Sequence, residues 1–117
     1  MFTNNFVYTS EDGKESLQCS RLDGIGISLL RQTKIELIVI SSEVKPTVEH
    51  RCKKLDIKCF YGVKNKGSLI SKILKDKKLR AENAIFIGND INDLSAHQFC
   101  KFKIAVSDSH PNYLEHC

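Results

Sequence analysis

Three stretches of this chain end in side chains that could hold a phosphate group and a hard divalent cation. LIVISSE, residues 37–43, delivers Ser41, Ser42 and Glu43. CFYGVKNK, residues 59–66, delivers Lys66, and IFIGNDIND, residues 85–93, delivers Asn89, Asp90 and Asp93. A hydroxyl and an ammonium suit phosphate oxygens, while carboxylate and amide oxygens suit magnesium. Each residue also has a plainer reading. A Ser after a strand commonly caps the next helix. A Lys before a helix is commonly solvated, and an Asp in a helix's first turn is favoured by the helix dipole. The combination carries more weight than any member.

The elements around these residues alternate. NFVYTS and KESLQCS flank EDG, which predicts a hairpin over residues 5–20, because Asp-Gly is a strong turn signal. From Asp23, read as an N-cap, Ile25, Ile27, Leu29 and Leu30 predict a helix to about Thr33. IELIVIS, 35–41, is a β-branched run that reads as a buried strand. KPTVEHRCKKL reads as a helix with Pro46 in its first turn. IKCFYG reads as a short strand, and KGSLISKILKDKKL as an amphipathic helix with Leu69, Ile70, Ile73 and Leu74 inward. AIFIG, apolar on consecutive positions, predicts a strand covered on both faces. INDLSAHQFC then predicts a helix, KIAVS a last strand and HPNYLEHC the start of a helix. Alternating strands and helices predict an α/β fold: a Rossmann-like, mostly parallel sheet, wound right-handed, with helices on both faces and the hairpin added at the N-terminal end. In such folds, ligands bind at the C-terminal ends of strands.

Composition narrows the function classes. The 117 residues are 41% hydrophobic and 27% charged, which suits one soluble domain with its own core. The net charge of +4 is mild and the lysines are scattered, which argues against nucleic acid as a partner. No apolar run approaches the ~18 residues of a membrane span. The five cysteines, at 19, 52, 59, 100 and 117, are odd in number and form no C-x-x-C pair. They point to a reducing cytoplasm, with Cys52, Cys59 and Cys100 as small core hydrophobes.

The stretches EDGKES, DGIGISLL, IELIVISSE, VEHRCKKLDIK, NKGSLI, IFIGNDINDL and AVSDSHP, in this order, resemble the cap-less haloacid dehalogenase-like phosphatases. The resemblance is to the group containing 3-deoxy-D-manno-octulosonate 8-phosphate phosphatase, and within it to the phosphatase-like tail of N-acylneuraminate cytidylyltransferases. It implies a single haloacid dehalogenase-like domain over 1–117, made of the hairpin and an α/β core at 23–117. It also implies a magnesium cofactor and a sugar-acid phosphate as the small-molecule partner, of octulosonate or sialic-acid type. By the same resemblance Ser41 holds phosphate, and Lys66 neutralises the phosphate and the nucleophile. Asn89 and Asp90 fall in the magnesium site, with Asp93 beside them, while Ser20, Arg21, Asp23, Gly24 and Arg51 fall where the substrate is contacted. A homo-oligomer, a tetramer assembled through the hairpin, is implied as well.

The departures from the family pattern are equally specific. The family's nucleophile and acid/base are the aspartates of a D-x-D-G motif ending its first strand, and no D-x-D pair occurs in these residues. The expectation is an N-terminally truncated domain, inactive by the aspartyl-phosphate route. Asn89 stands where the family has an aspartate, which weakens magnesium binding or abolishes it. Glu43 stands where relatives often carry an arginine. The alternative function is a non-catalytic assembly module of a cytidylyltransferase; the coding sequence upstream of Met1 would separate the two. The family's first strand would lie between those at 35–41 and 84–88, so its absence is expected to leave backbone groups on both without partners.

Overall fold

Asp12-Gly13 turns the chain back on itself, as the sequence predicts. The structure, a computed structural model, describes residues 2–3 and 5–117. They divide into two compact units, 2–62 and 63–117. In the first unit, β1 (Tyr8–Thr9) pairs antiparallel with β2 (Glu15–Ser16), with Tyr8 opposite Ser16 and Thr9 opposite Glu15. Gly13 takes the left-handed conformation, φ 76°, that closes this turn and favours glycine. The ladder covers two residues per strand rather than most of 5–20, and both strands are exposed.

Helix α1 (Leu22–Arg31) starts two residues earlier than expected. Its N-cap is Arg21, and Asp23 lies inside the first turn, where its charge complements the helix dipole. The capping function predicted for Asp23 passes in part to Ser20, whose Oγ accepts from the Leu22 amide at 3.1 Å. Strand β3 (Ile38–Ile40) runs through α2 (Thr47–Lys54) into β4 (Lys58–Phe60), and β3 and β4 pair in parallel with Val39 opposite Cys59. Pro46 is the N-cap of α2 rather than a residue of its first turn. Ile27, Val39, Cys52 and Ile57 form the core of this unit, with Phe2, Leu37, Val48, Leu55 and Cys59 packed around it. One member from α1, one from β3 and one from α2 meet there, so burial fixes the β-α-β unit.

In the second unit, Asn65 caps α3 (Lys66–Asp76), its Oδ1 accepting from the Ser68 amide at 2.9 Å. Ile70 is buried, while Leu69, Ile73 and Leu74 are half-buried on the same side, as the periodicity predicts. A 3-10 turn (Ala81–Asn83) leads into β5 (Ile85–Gly88), which pairs in parallel with β6 (Phe102–Ala105). Between them, residues 91–99 form a 3-10 helix (Ile91–Phe99) rather than the predicted α-helix. At its start Asp90 and Asp93 form a reciprocal capping box, and the Asp93 amide donates to the Asp90 carbonyl at 2.9 Å, the three-residue spacing of a 3-10 turn. α3 packs on this 3-10 helix through Gly67, where any side chain would run into the backbone carbonyl of Ser95. A short α4 (Pro111–Leu114) follows, with Pro111 at its start.

The α/β class and parallel pairing are as predicted, but the strands form three separate two-stranded ladders rather than one continuous sheet. β5 also departs from its pattern. It reads as covered on both faces, yet Ile85 is 58% and Ile87 42% exposed, as are their ladder neighbours Phe102 (51%) and Ile104 (45%). Among the described residues no helix is long and apolar enough to cross a membrane.

Candidate active site

The second unit brings Lys66, Asn89, Asp90 and Asp93 into one cluster at the C-terminal end of β5. Lys66 is the first residue of α3 and is only 7% exposed. Its Nζ donates to Asp93 Oδ1, and Asn92 Oδ1 lies 3.5 Å away. Asp93, 3% exposed, has its second oxygen engaged as well: Oδ2 accepts from the Asn89 amide at 2.9 Å and from the Asp90 amide at 3.2 Å. One carboxylate therefore ties the start of α3 to the backbone that follows β5. A buried charge survives only when paired and hydrogen-bonded, and both conditions are met here.

That backbone is held from the other side by residues 106–110. The Val106 amide donates to the Gly88 carbonyl at 3.4 Å, the buried Ser109 hydroxyl donates to the same carbonyl at 3.4 Å, and the His110 amide donates to the Asn89 carbonyl at 2.8 Å. Gly88 itself is enclosed. A Cβ there would lie 2.5 Å from the Tyr113 hydroxyl oxygen and 2.7 Å from Asp93 Oδ2. Tyr113 is wholly buried, and its hydroxyl is 3.0 Å from His97 Nε2. Sequence reading missed this pair. HPNYLEHC reads as the opening of a helix, and the only available signal was a tyrosine amid polar neighbours near a chain terminus.

The fit to magnesium can be judged from the donor set. Asp93 has both oxygens committed, and Asp90 turns onto its own helix start, Oδ1 accepting from the Ile91 amide at 2.7 Å. Among the described residues no group of three or more His, Cys, Asp or Glu side chains could hold a metal ion. The residues present do not fit a resident magnesium ion by themselves.

The first unit carries the other predicted residues. Ser41 follows β3; its amide donates to the Phe60 carbonyl at 2.8 Å and its Oγ accepts from the Glu43 amide at 3.1 Å. Glu43 Oε1 in turn accepts from the Val44 and Lys45 amides at 2.9 and 3.0 Å. Arg51, on α2, donates through Nη2 to the Ser20 carbonyl at 2.6 Å and stands 4.0 Å from Asp23 Oδ2. Arg51 Nε and Asp23 Oδ2 are buried without a hydrogen-bond partner. Arg21 is exposed at the N-cap of α1, and Gly24 sits over Leu55, its missing Cβ 3.6 Å from Cδ2. Ser20, Arg21, Asp23, Gly24 and Arg51 are thus gathered at the start of α1, with an idle guanidinium donor among them.

The titratable groups that shift are mostly those the fold buries. Desolvation pushes the Cys52 thiol up to about 12, with the Cys59 side chain adding to it. Burial likewise raises Cys59 and Cys100. Burial holds the His97 imidazole below its ordinary value, with Lys103 and His116 acting in the same direction.

This fold has close counterparts in known proteins. The haloacid dehalogenase-like hydrolase profile matches residues 51–117, and the chain belongs to that family. It is 29% identical over 112 residues to the 3-deoxy-D-manno-octulosonate 8-phosphate phosphatase KdsC of Escherichia coli K12, an alignment covering 95% of this chain and 60% of that protein. The cobalt-bound deoxy-D-mannose-octulosonate 8-phosphate phosphatase of Haemophilus influenzae superimposes with a TM-score of 0.85 at 28% identity, covering 98% of this chain and 67% of that one. The Moraxella catarrhalis phosphatase, in complex with magnesium, phosphate and KDO, shares the fold with a TM-score of 0.87 at 24% identity, over 97% and 66% of the two chains. The chain spans 60% of the length of the Escherichia coli relative that it matches.

Proposed function

We propose that residues 1–117 belong to one phosphatase domain that takes sugar-acid phosphates of the 3-deoxy-octulosonate type. In this reading Lys66 is the phosphate-binding cation. The observation that carries it is the buried Lys66–Asp93 pair at the first turn of α3. An ammonium has three donors, and Asp93 with Asn92 accounts for two of them. A phosphate oxygen takes the third. Within the first unit, the unpartnered Nε of Arg51 is by itself a donor of the kind that suits a carboxylate or phosphate.

The reading includes no turnover by these residues alone. A carboxylate nucleophile of the D-x-D-G type is not among them, and no step is assigned to magnesium. Titration calorimetry with orthophosphate and with 3-deoxy-octulosonate 8-phosphate tests the binding. The unaltered chain should bind both, and Lys66→Met should bind neither while keeping its circular dichroism spectrum. Failure of the unaltered chain to bind either ligand would end this reading. Hydrolysis of p-nitrophenyl phosphate above buffer, abolished by Lys66→Ala or Asn89→Ala, would show that another nucleophile operates.

A further inference from the structure

The Lys66–Asp93 pair depends on where the Asp93 carboxylate is held, and its own hydrogen bonds do not fully explain that. Oδ1 meets Lys66, a long flexible side chain, and Oδ2 meets two amides of a turn. Each of these partners could follow the carboxylate if it moved. Beside Gly88 stands a group that cannot. The Tyr113 ring is fully buried, and its hydroxyl oxygen crowds Gly88 from the same region as Asp93 Oδ2, at 2.5 and 2.7 Å from the position of an added Cβ. The hydroxyl is fixed in turn by His97 Nε2 at 3.0 Å, whose ring meets the tyrosine edge-on at a centroid distance of 5.1 Å and Phe86 at 6.2 Å.

We propose that Tyr113, braced by His97, is the positioning residue that keeps the Asp93 carboxylate on Lys66 and on the Asn89 and Asp90 amides. Its hydroxyl fills the space beside Gly88 into which the carboxylate and the 88–90 backbone would otherwise relax. Only the consequence for phosphate rests on the function proposed above. The chemistry of the brace is neutral. Burial pushes the phenol up, the Cys117 side chain and the Asp93 charge adding to it, and burial pushes the imidazole down. The contact between hydroxyl and imidazole therefore needs no charge, and it leaves the buried Lys66–Asp93 ion pair undisturbed.

Residue-resolved amide hydrogen exchange of the full chain tests it. Tyr113→Phe keeps the ring and removes the hydroxyl. Exchange at Asn89 and Asp90 should accelerate about fivefold, the scale of one weakened hydrogen bond. The amides of Ile70 to Leu74 in α3 should stay as they were. His97→Gln, which removes the brace and not the hydroxyl, should give a smaller acceleration at the same two amides. Unchanged exchange at Asn89 and Asp90 would overturn the proposal. So would an equal acceleration of every slow amide, which would mean that Tyr113 supports only global stability. Orthophosphate affinity should fall severalfold in Tyr113→Phe, and full retention of it beside a binding unaltered chain would count against the proposal as well. If the unaltered chain binds no orthophosphate, the proposed function fails, and exchange at the two amides decides the role of Tyr113 by itself.

Discussion

Lys66 and Asp93, 27 positions apart in the chain, face each other as a buried ion pair with side chains 9% and 4% exposed. The pair joins the start of α3 to the turn after β5, so its two members are not equivalent. Lys66 meets one strong acceptor, whereas Asp93 serves an ammonium and two backbone amides. Asp93→Ala should therefore be the more damaging change. It leaves a buried charge without its counter-ion and should cost about 3 to 5 kcal/mol. Lys66→Met leaves a carboxylate still bonded to two amides and should cost about 1 to 3 kcal/mol. Urea unfolding of both variants checks the order, and a larger loss for Lys66→Met would reverse this reading.

Two glycines should respond oppositely to alanine. At Gly88 a Cβ meets Tyr113, Asp93 and, at 2.9 Å, Phe86, three atoms that cannot all retreat. Gly88→Ala should destabilise by about 1 to 3 kcal/mol, the range for overpacking. Gly26 lies within α1 and an added Cβ meets nothing within 4 Å. Gly26→Ala should stabilise by about 0.5 to 1 kcal/mol through helix propensity. Thermal melts of the pair decide both signs.

His97 gives stability a pH dependence. Its folded pKa is depressed from 6.5, by burial first, then by Lys103 and His116, with Asp93 acting against them. The unfolded chain therefore takes up the proton first as the pH falls. The contribution is present above about 6.5 and declines from there down to the folded value. The melting temperature should fall on acidification through this window, and less steeply in His97→Gln. Equal slopes for the two proteins would remove His97 from the account.

The cysteines should label in two classes. Cys117 is exposed, whereas Cys52 and Cys100 are buried and their thiols are raised by desolvation. The thiolate is the reactive form. A thiol reagent at neutral pH should modify Cys117 in the native chain, and Cys52 and Cys100 only in denaturant. Rapid native labelling at Cys52 would contradict the packing of the first unit's core.

The order of elements was legible because hydrophobic pattern and turn chemistry are local. Asp12-Gly13 marks its turn, and the apolar positions of α3 repeat at helical spacing. Boundaries at the caps were less legible, because Ser20 and Asp23 are both residue types that cap helices, yet the N-cap position falls on Arg21 and only the backbone decides that. Asn89, Asp90, Asp93 and Lys66 stood out by type and by following strand ends. That Asp93 would spend both oxygens inside the protein was not legible, since a carboxylate reads alike as ligand, cap or ion-pair partner. Tyr113 and His97 were invisible for a related reason: their contact spans 16 residues and follows no periodicity. The exposure of β5 was missed because an apolar run states a demand for cover, not whether the cover is there.

That run has a thermal consequence. Ile85 and Ile87, with Phe102 and Ile104 beside them in register, leave four large apolar side chains roughly half in water on one ladder. Contact between such surfaces is entropy-driven near room temperature and weakens on cooling. Concentrated solutions of this chain should therefore scatter more light as they warm from ice and clear again when chilled, before any unfolding begins. Sulfate should lower the temperature at which clouding sets in, because it strengthens apolar association, and urea should raise it.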